Sequence, residues 1–330
     1  MKLSVLDQAP ISNGDSAETT LQHTLELAKW TESLGYHRYW VAEHHNTSGL
    51  ASSSPEIMMT RIASVTEKIR VGSGGILLPQ YSPYKIAENA KTLEAFFPNR
   101  IDIGVGRSPG GSPLTRSALT DNQHRSLSEF PRQLADLQGF LYHSLPRDHE
   151  FRLVKAGPRT EQVPPLWVLG LSERGAKDAA QLGLGYVFGH FINPDHGVAA
   201  LKAYRENFVS SEHMEFPQSF VSIFVLCAET EEEAEALALS QDNWLLNVGK
   251  GLGTKVPSIE QVRNRTFSKQ DLNMIKKNRQ RTVIGTPEMV KERLMQLQQL
   301  YQTDEFMVIT NIYDFEAKKK SYQLLAETLL

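Results

Sequence analysis

Short apolar runs alternate with amphipathic stretches of helical period almost from one end of this chain to the other. Runs at 3–6, 38–42, 71–78, 101–105, 166–169, 185–188, 220–227 and 306–309 predict eight strands. The first helix opens at Asp15-Ser16-Ala17-Glu18, a capping-box pattern, and carries Leu21, Leu25 and Ala28 on one face. Another is expected to begin near Pro55. Ser82-Pro83 offers an N-cap followed by proline at the first helical position, with Ile86, Ala90, Leu93 and Phe97 behind it. A longer helix is predicted over 123–141, and one with carboxylates at its positive end from 229. Thr286-Pro287-Glu288 starts a helix with Val290, Leu294, Leu297 and Tyr301 on one face, and a terminal helix follows the eighth strand. This alternation, without an internal linker, predicts an α/β protein: one (β/α)8 TIM-barrel domain over residues 1–330, with a doubly wound open sheet as the alternative.

One segment breaks the rhythm. Gly249-Lys250-Gly251-Leu252-Gly253 introduces a stretch that runs to about residue 285 without a clear apolar period. Such an insertion reads as a lid or as disordered. Its basic cluster, Lys276-Lys277-Asn278-Arg279-Gln280-Arg281, reads as a solvated helix face.

Composition changes the picture little. A length of 330 residues suggests two domains, but a barrel of ~250 residues or more is routinely one. The net charge of −3 shows no bias toward nucleic acid or an anionic membrane. The one cysteine, Cys227, lies in an apolar run and reads as a small buried hydrophobe, which fits a reducing, cytoplasmic compartment. The first residues are too briefly apolar for a signal peptide, and no run reaches the ~20 residues of a membrane span.

The chemistry gathers at strand ends. The second strand ends in Glu43-His44-His45, the fourth in Gly106-Arg107-Ser108-Pro109-Gly110 and the fifth in Gly170-Leu171-Ser172. Carboxyl ends of strands are where an α/β barrel builds its active site, so an enzyme is expected. Several motifs fail. Gly104-Val105-Gly106 lacks the third glycine of the dinucleotide fingerprint, since Pro109 stands in its place. Gly170-Leu171-Ser172-Glu173-Arg174 ends in Arg174 where a nucleophile elbow needs glycine. Glu43-His44-His45 lacks zinc-site spacing, so no metal is expected. Arg107 offers a bidentate fork in a glycine-rich turn, and Ser172 and Gly175 sit at a helix start. They could hold a phosphate dianion. Alternatively, Arg107 pairs with a carboxylate and Ser172 is only an N-cap.

The sequence resembles the flavin-dependent luciferase-like monooxygenases, the superfamily of bacterial luciferase. The resemblance lies in Trp40-Val41-Ala42-Glu43-His44-His45, Val71-Gly72-Ser73-Gly74-Gly75-Ile76-Leu77-Leu78-Pro79, Gly104-Val105-Gly106-Arg107, Leu169-Gly170-Leu171-Ser172, Ala179-Ala180-Gln181-Leu182-Gly183-Leu184 and Thr286-Pro287. Leu6-Asp7-Gln8-Ala9-Pro10 and Gly106-Arg107-Ser108-Pro109-Gly110 resemble the single-subunit branch. The resemblance implies FMN at the carboxyl ends of the strands, its reduced form supplied by a separate flavin reductase. It implies O2 as co-substrate, oxygenation of a small organic molecule through a flavin C4a-peroxide, and a homodimer. It places His44 against the flavin as catalytic base and makes His45 a weaker candidate; Glu43 could orient His44 or equally form a structural ion pair. Arg107, Ser172 and Gly175 become the phosphate site, with Gly106, Ser108, Gly170 and Leu171 in the same turns. A non-proline cis peptide maps onto Gly74-Gly75, where the alternative is a β-bulge. Two departures matter. Gly106 stands where light-emitting members carry a reactive thiol, so light emission is not implied. The family's mobile loop matches 249–285 in position only. A deazaflavin (F420)-dependent oxidoreductase and a non-catalytic flavin-binding protein are the alternatives.

Overall fold

A computed structural model describes residues 1–123 and 126–330. Its strands are β1 (Lys2–Asp7), β2 (Arg38–Val41), β3 (Arg70–Ser73), β4 (Ile76–Leu77), β5 (Ile101–Gly106), β6 (Leu166–Gly170), β7 (Gly185–Gly189), β8 (Ser219–Cys227), β9 (Thr282–Gly285) and β10 (Glu305–Ile309). All pair in parallel, in the order β10-β1-β2-β3-β5-β6-β7-β8. Pairing of β10 with β8, from Phe306 opposite Val221 to Ile309 opposite Phe224, closes the ring. That closure excludes the open-sheet alternative: the fold is an eight-stranded α/β barrel with helices between its strands. Its strands are apolar almost throughout because both faces are covered.

Two cores result. Tyr39, Ile62, Leu134 and Leu294 pack between sheet and helices, whereas Leu6, Trp40, Trp167, Phe220 and Met307 fill the barrel itself. Trp40 and Phe220 meet edge-on at 5.4 Å between ring centroids. Beneath them lies a buried ionic network at the amino ends of the strands. Arg38 bridges Asp102 (2.7 Å) and Glu305 (2.8 Å), and Arg70 reaches the other oxygen of Asp102 at 2.6 Å.

Several local expectations are corrected. The run 71–78 is not one strand. β3 stops at Ser73, a cis peptide joins Gly74 to Gly75, and β4 resumes against β5. Ser73 Oγ fills the break, donating to the Gly104 carbonyl (2.8 Å) and accepting from its N–H (2.9 Å). The helix predicted over 123–141 begins later. A 3-10 turn, Leu127–Glu129, carries the capping box of Ser126 and Glu129, and the α-helix runs Phe130–Tyr142 with Pro131 in its first turn. Residues 124 and 125 of that expectation lie outside the described residues. Ser16 does cap the first helix, but through Thr19 N–H, and Glu18 is one position early for a capping box. Ser82 makes no side-chain cap, while Pro83 does occupy the first turn.

The segment at 249–285 is folded rather than bare loop. It holds helices Ile259–Arg263 and Lys269–Arg279, each opened by a capping box, and then β9, which pairs with β8 at Phe224–Cys227. Its basic cluster divides: Lys276 and Lys277 are exposed, whereas Arg279 is paired with Glu235 (2.6 Å) and Asp242 (2.7 Å). Cys227 is buried, and burial pushes its thiol up to about 12. Among the described residues no helix is long and apolar enough to cross a membrane.

Candidate active site

At the carboxyl ends of the strands the barrel opens into a cavity of about 820 Å³. Every residue singled out in the sequence lines it: Glu43, His44 and His45 after β2, Gly74 and Gly75 after β3, Gly106, Arg107 and Ser108 from β5, and Gly170, Leu171, Ser172 and Gly175 from β6. Parallel strands place their carboxyl ends on one rim, so runs distant in sequence converge there.

Glu43 is buried and fully engaged. Its Oε2 accepts the Leu77 N–H at 2.8 Å, and its Oε1 accepts the Tyr81 hydroxyl at 2.5 Å and lies 2.7 Å from His45 Nε2. It therefore orients His45, not His44 as expected from the sequence. The carboxylate also ties β2 to β4, holding the turn that follows the Gly74-Gly75 bond. Burial and the carboxylate push the Tyr81 pKa well above its ordinary range.

His44 is held differently. Its backbone N–H donates to Ser52 (2.9 Å), while Nε2 is shut off from solvent without a hydrogen-bond partner among the described residues. Burial, assisted by His45, lowers its pKa to about 4, well below the ordinary value near 6.5. The imidazole is neutral at pH 7, with a ring nitrogen available to a ligand.

Glycines leave the wall flat. A Cβ on Gly75 would lie 2.9 Å from the Gly104 carbonyl oxygen, a backbone contact that bars a side chain, and one on Gly74 would lie 2.5 Å from Leu6 Cδ1 and require Leu6 to move. Gly106 and Gly175 are the opposite case: a Cβ there meets nothing nearer than 4.0 Å, and the space lies free beside Arg107 and Ser172. Ser172 is the N-cap of helix Glu173–Gln181 and accepts the Gly175 N–H at 3.5 Å. That half of the bland alternative holds. The other half does not: the Arg107 side chain makes no ion pair or hydrogen bond among the described residues.

The remaining wall was not legible in the sequence. Phe191, Phe224, Trp244, Leu245 and Val248 form an apolar side, and Arg281 stands at its edge. Only Arg281 had drawn notice, as part of the basic cluster. The segment at 249–285 is pinned over the mouth: Trp244 donates to the Thr254 carbonyl (2.8 Å), and Thr254 Oγ1 lies 2.5 Å from Thr47 Oγ1. Main-chain bonds from Val256 to Ile11 (2.9 Å) and from Asn13 to Val256 (2.8 Å) anchor it to the loop after β1.

Comparison with known proteins agrees with this architecture. Residues 1–304 match the luciferase-like monooxygenase family. The chain is 58% identical to the uncharacterised protein YceB of Bacillus subtilis over 99% of both chains. It is 36% identical to the N-acetyl-S-alkylcysteine monooxygenase of the same organism, covering all of this chain and 98% of that one. The crystal structure of apo-MsnO8 superposes with a TM-score of 0.88 at 34% identity, over 99% of this chain and 98% of the other. At the level of fold alone, two further structures are similar. They are the oxygenating constituent of 3,6-diketocamphane monooxygenase in complex with FMN (TM-score 0.74, 18% identity, 100% and 97% coverage) and an F420-dependent secondary alcohol dehydrogenase (0.69, 14%, 99% and 98%). The chain belongs to the luciferase-like monooxygenase family, and it is an oxidoreductase.

Proposed function

We propose that the cavity holds reduced FMN, delivered by a separate flavin reductase, and that the enzyme uses O2 to oxygenate a small organic substrate beside it. The observation that carries this reading is that Arg107, a cation without a partner among the described residues, and the start of helix Glu173–Gln181 line the same cavity. A phosphate dianion suits both: the guanidinium offers two parallel N–H groups, and the helix start offers main-chain N–H groups with a positive dipole end. The free space at Gly106 and Gly175 gives the phosphate room to approach the backbone.

From β2 to β6 the wall runs through β3 and β5, three strand spacings of ~4.8 Å, or roughly 14 Å. His44 thus stands well away from the phosphate end, with the side-chain-free Gly74-Gly75 turn between them, where a flat ring can lie against backbone. The cavity volume falls within the ~300–1,000 Å³ of small-molecule sites. Once bound, FMN supplies the redox chemistry with O2. The chain's own residues do the rest. Arg107 and the helix start bind the anionic tail, and Gly74 and Gly75 admit the ring. His44 accepts or returns a proton at the reacting end. Glu43 keeps His45 and the β4 turn in place. The pinned segment at 249–285 acts as a lid that excludes water.

The FMN-bound neighbour supports this cofactor, and the 36%-identical relative named for N-acetyl-S-alkylcysteine supports a small organic substrate. The family resemblance also carries a homodimer, and the single buried cysteine a cytoplasmic location. Titrating the purified chain with FMN, and in parallel with the deazaflavin F420, while following absorbance and fluorescence quenching in both redox states, tests the reading. Saturable FMN binding is expected; binding of F420 alone replaces it with the deazaflavin reading.

A further inference from the structure

The cavity carries a second unpaired cation, which the flavin phosphate does not account for. Arg281 lies between helix Lys269–Arg279 and β9. Its Nη1 donates to the Ile192 carbonyl (3.1 Å) and its Nη2 to Asn278 Oδ1 (2.8 Å). Its Nε is buried without a partner, and no carboxylate pairs with it among the described residues. Two residues earlier, Arg279 holds two carboxylates, so the same stretch supplies acidic partners where a structural ion pair is made. Glu43, the one carboxylate on the described cavity wall, is already committed elsewhere. Burial pulls the Arg281 pKa below its ordinary value. A partly desolvated cation without a counter-ion is costly unless a ligand provides one.

Its surroundings say what else the ligand must be. Phe191, Ile192, Phe224, Trp244, Leu245 and Val248 line the same cavity; Phe191 and Trp244 both pack edge-on against Phe224, and Ile192 is the residue whose carbonyl Arg281 holds. We propose that Arg281 is a specificity-determining residue that pairs with an anionic end group, a carboxylate or sulfonate, on a substrate whose body is apolar. The proposal rests on the reading that this cavity is the flavin and substrate site, and it assigns the two cations to two anions: Arg107 to the cofactor and Arg281 to the substrate. One main-chain and one side-chain acceptor hold the guanidinium at the rim of β7 and leave its remaining Nη protons for the incoming group. The apolar wall selects the substrate body by its length.

Heptanoate, hexanesulfonate and hexan-1-ol share one hexyl body and differ only in the head group. Calorimetric titration of each into the wild-type protein, with and without FMN, should show both anions binding roughly tenfold tighter than the alcohol, as a charged hydrogen bond warrants. Arg281→Met should erase that preference while retaining alcohol binding, and Arg281→Lys should restore part of it. FMN and riboflavin affinities, measured by fluorescence quenching, should be the same in Arg281→Met as in wild type. Equal binding of anions and alcohol by the wild type, or a preference surviving in Arg281→Met, overturns the proposal. So does a selective loss of FMN over riboflavin in that variant, which would give Arg281 to the phosphate. If FMN fails to bind the wild type but the anion preference and its loss are observed, the flavin reading falls and the Arg281 site stands. Preference for only one of the two anions identifies the head group and supports the assignment.

Discussion

The two ends of the barrel treat charge in opposite ways. At the amino end Arg38 and Arg70 share Asp102, Arg38 also reaches Glu305, and Ser4 donates to Glu305 at 2.6 Å. Arg38 lies 4.8 Å beneath the Trp167 ring, so the network is roofed by the aromatic plug. Burial acts to raise the Asp102 pKa, but Arg38 and Arg70 outweigh it and hold the carboxylate below its usual range. At the carboxyl end Arg107 and Arg281 line a cavity without carboxylate partners among the described residues, and His44 Nε2 has no partner among them either. Charges satisfied within the chain stabilise the fold. On the proposed reading, the charges left unsatisfied around the cavity are held for a ligand. The contrast teaches that a buried ion is informative through its partners more than through its burial.

The sharpest way to break this contrast is at the amino end. Asp102→Ala strands Arg38 and Arg70 with one carboxylate between them, and should destabilise the protein by ~3–5 kcal/mol in urea denaturation. Arg107→Ala, by contrast, should change stability by less than ~0.5 kcal/mol, since nothing in the chain loses a partner.

Acid should act next, through the mouth. The folded-state pKa of His44 is about 4, below the ordinary 6.5, so below pH 6.5 the unfolded chain takes up a proton that the folded chain refuses. Stability is therefore whole above pH 6.5 and falls as the pH drops toward 4, by about 3 kcal/mol at full loss. His190, buried against Tyr301 and also lowered to about 4, adds a similar decline. Chemical denaturation at a series of pH values should show a shallower decline in His44→Ala than in wild type; identical curves would show that His44 is already solvated.

For turnover, His44→Ala should cost ~10² in a reductase-coupled assay while leaving FMN affinity nearly intact. Full activity in that variant would remove His44 from proton transfer and turn attention to His45, which Glu43 and Tyr81 already position. The smallest expected effect discriminates the phosphate end: Arg107→Ala should weaken FMN roughly tenfold more than riboflavin, which lacks the dianion. Equal losses for both ligands in a quenching titration would move the phosphate elsewhere.

The parallel strands and the membership of their rim were legible in linear order, whereas closure into a ring rather than an open sheet was decided by β10 pairing with β8. Apolar runs of strand length, separated by helical periods, pack as parallel strands with covered faces, so residues at the run ends share one rim. That is why Glu43, Arg107 and Ser172 were readable as a group. What each rim residue does depends on distances across that rim, which no local pattern encodes. Tertiary structure alone decided that Glu43 serves His45, that burial takes the His44 proton affinity down, and that Tyr81 completes the carboxylate's shell. It also decided that Arg279 is paired and Arg281 is not, although both sit in one basic run. Local sequence sets period and capping through neighbours a few residues apart. Partnership and desolvation are set by groups that meet only when the ring closes.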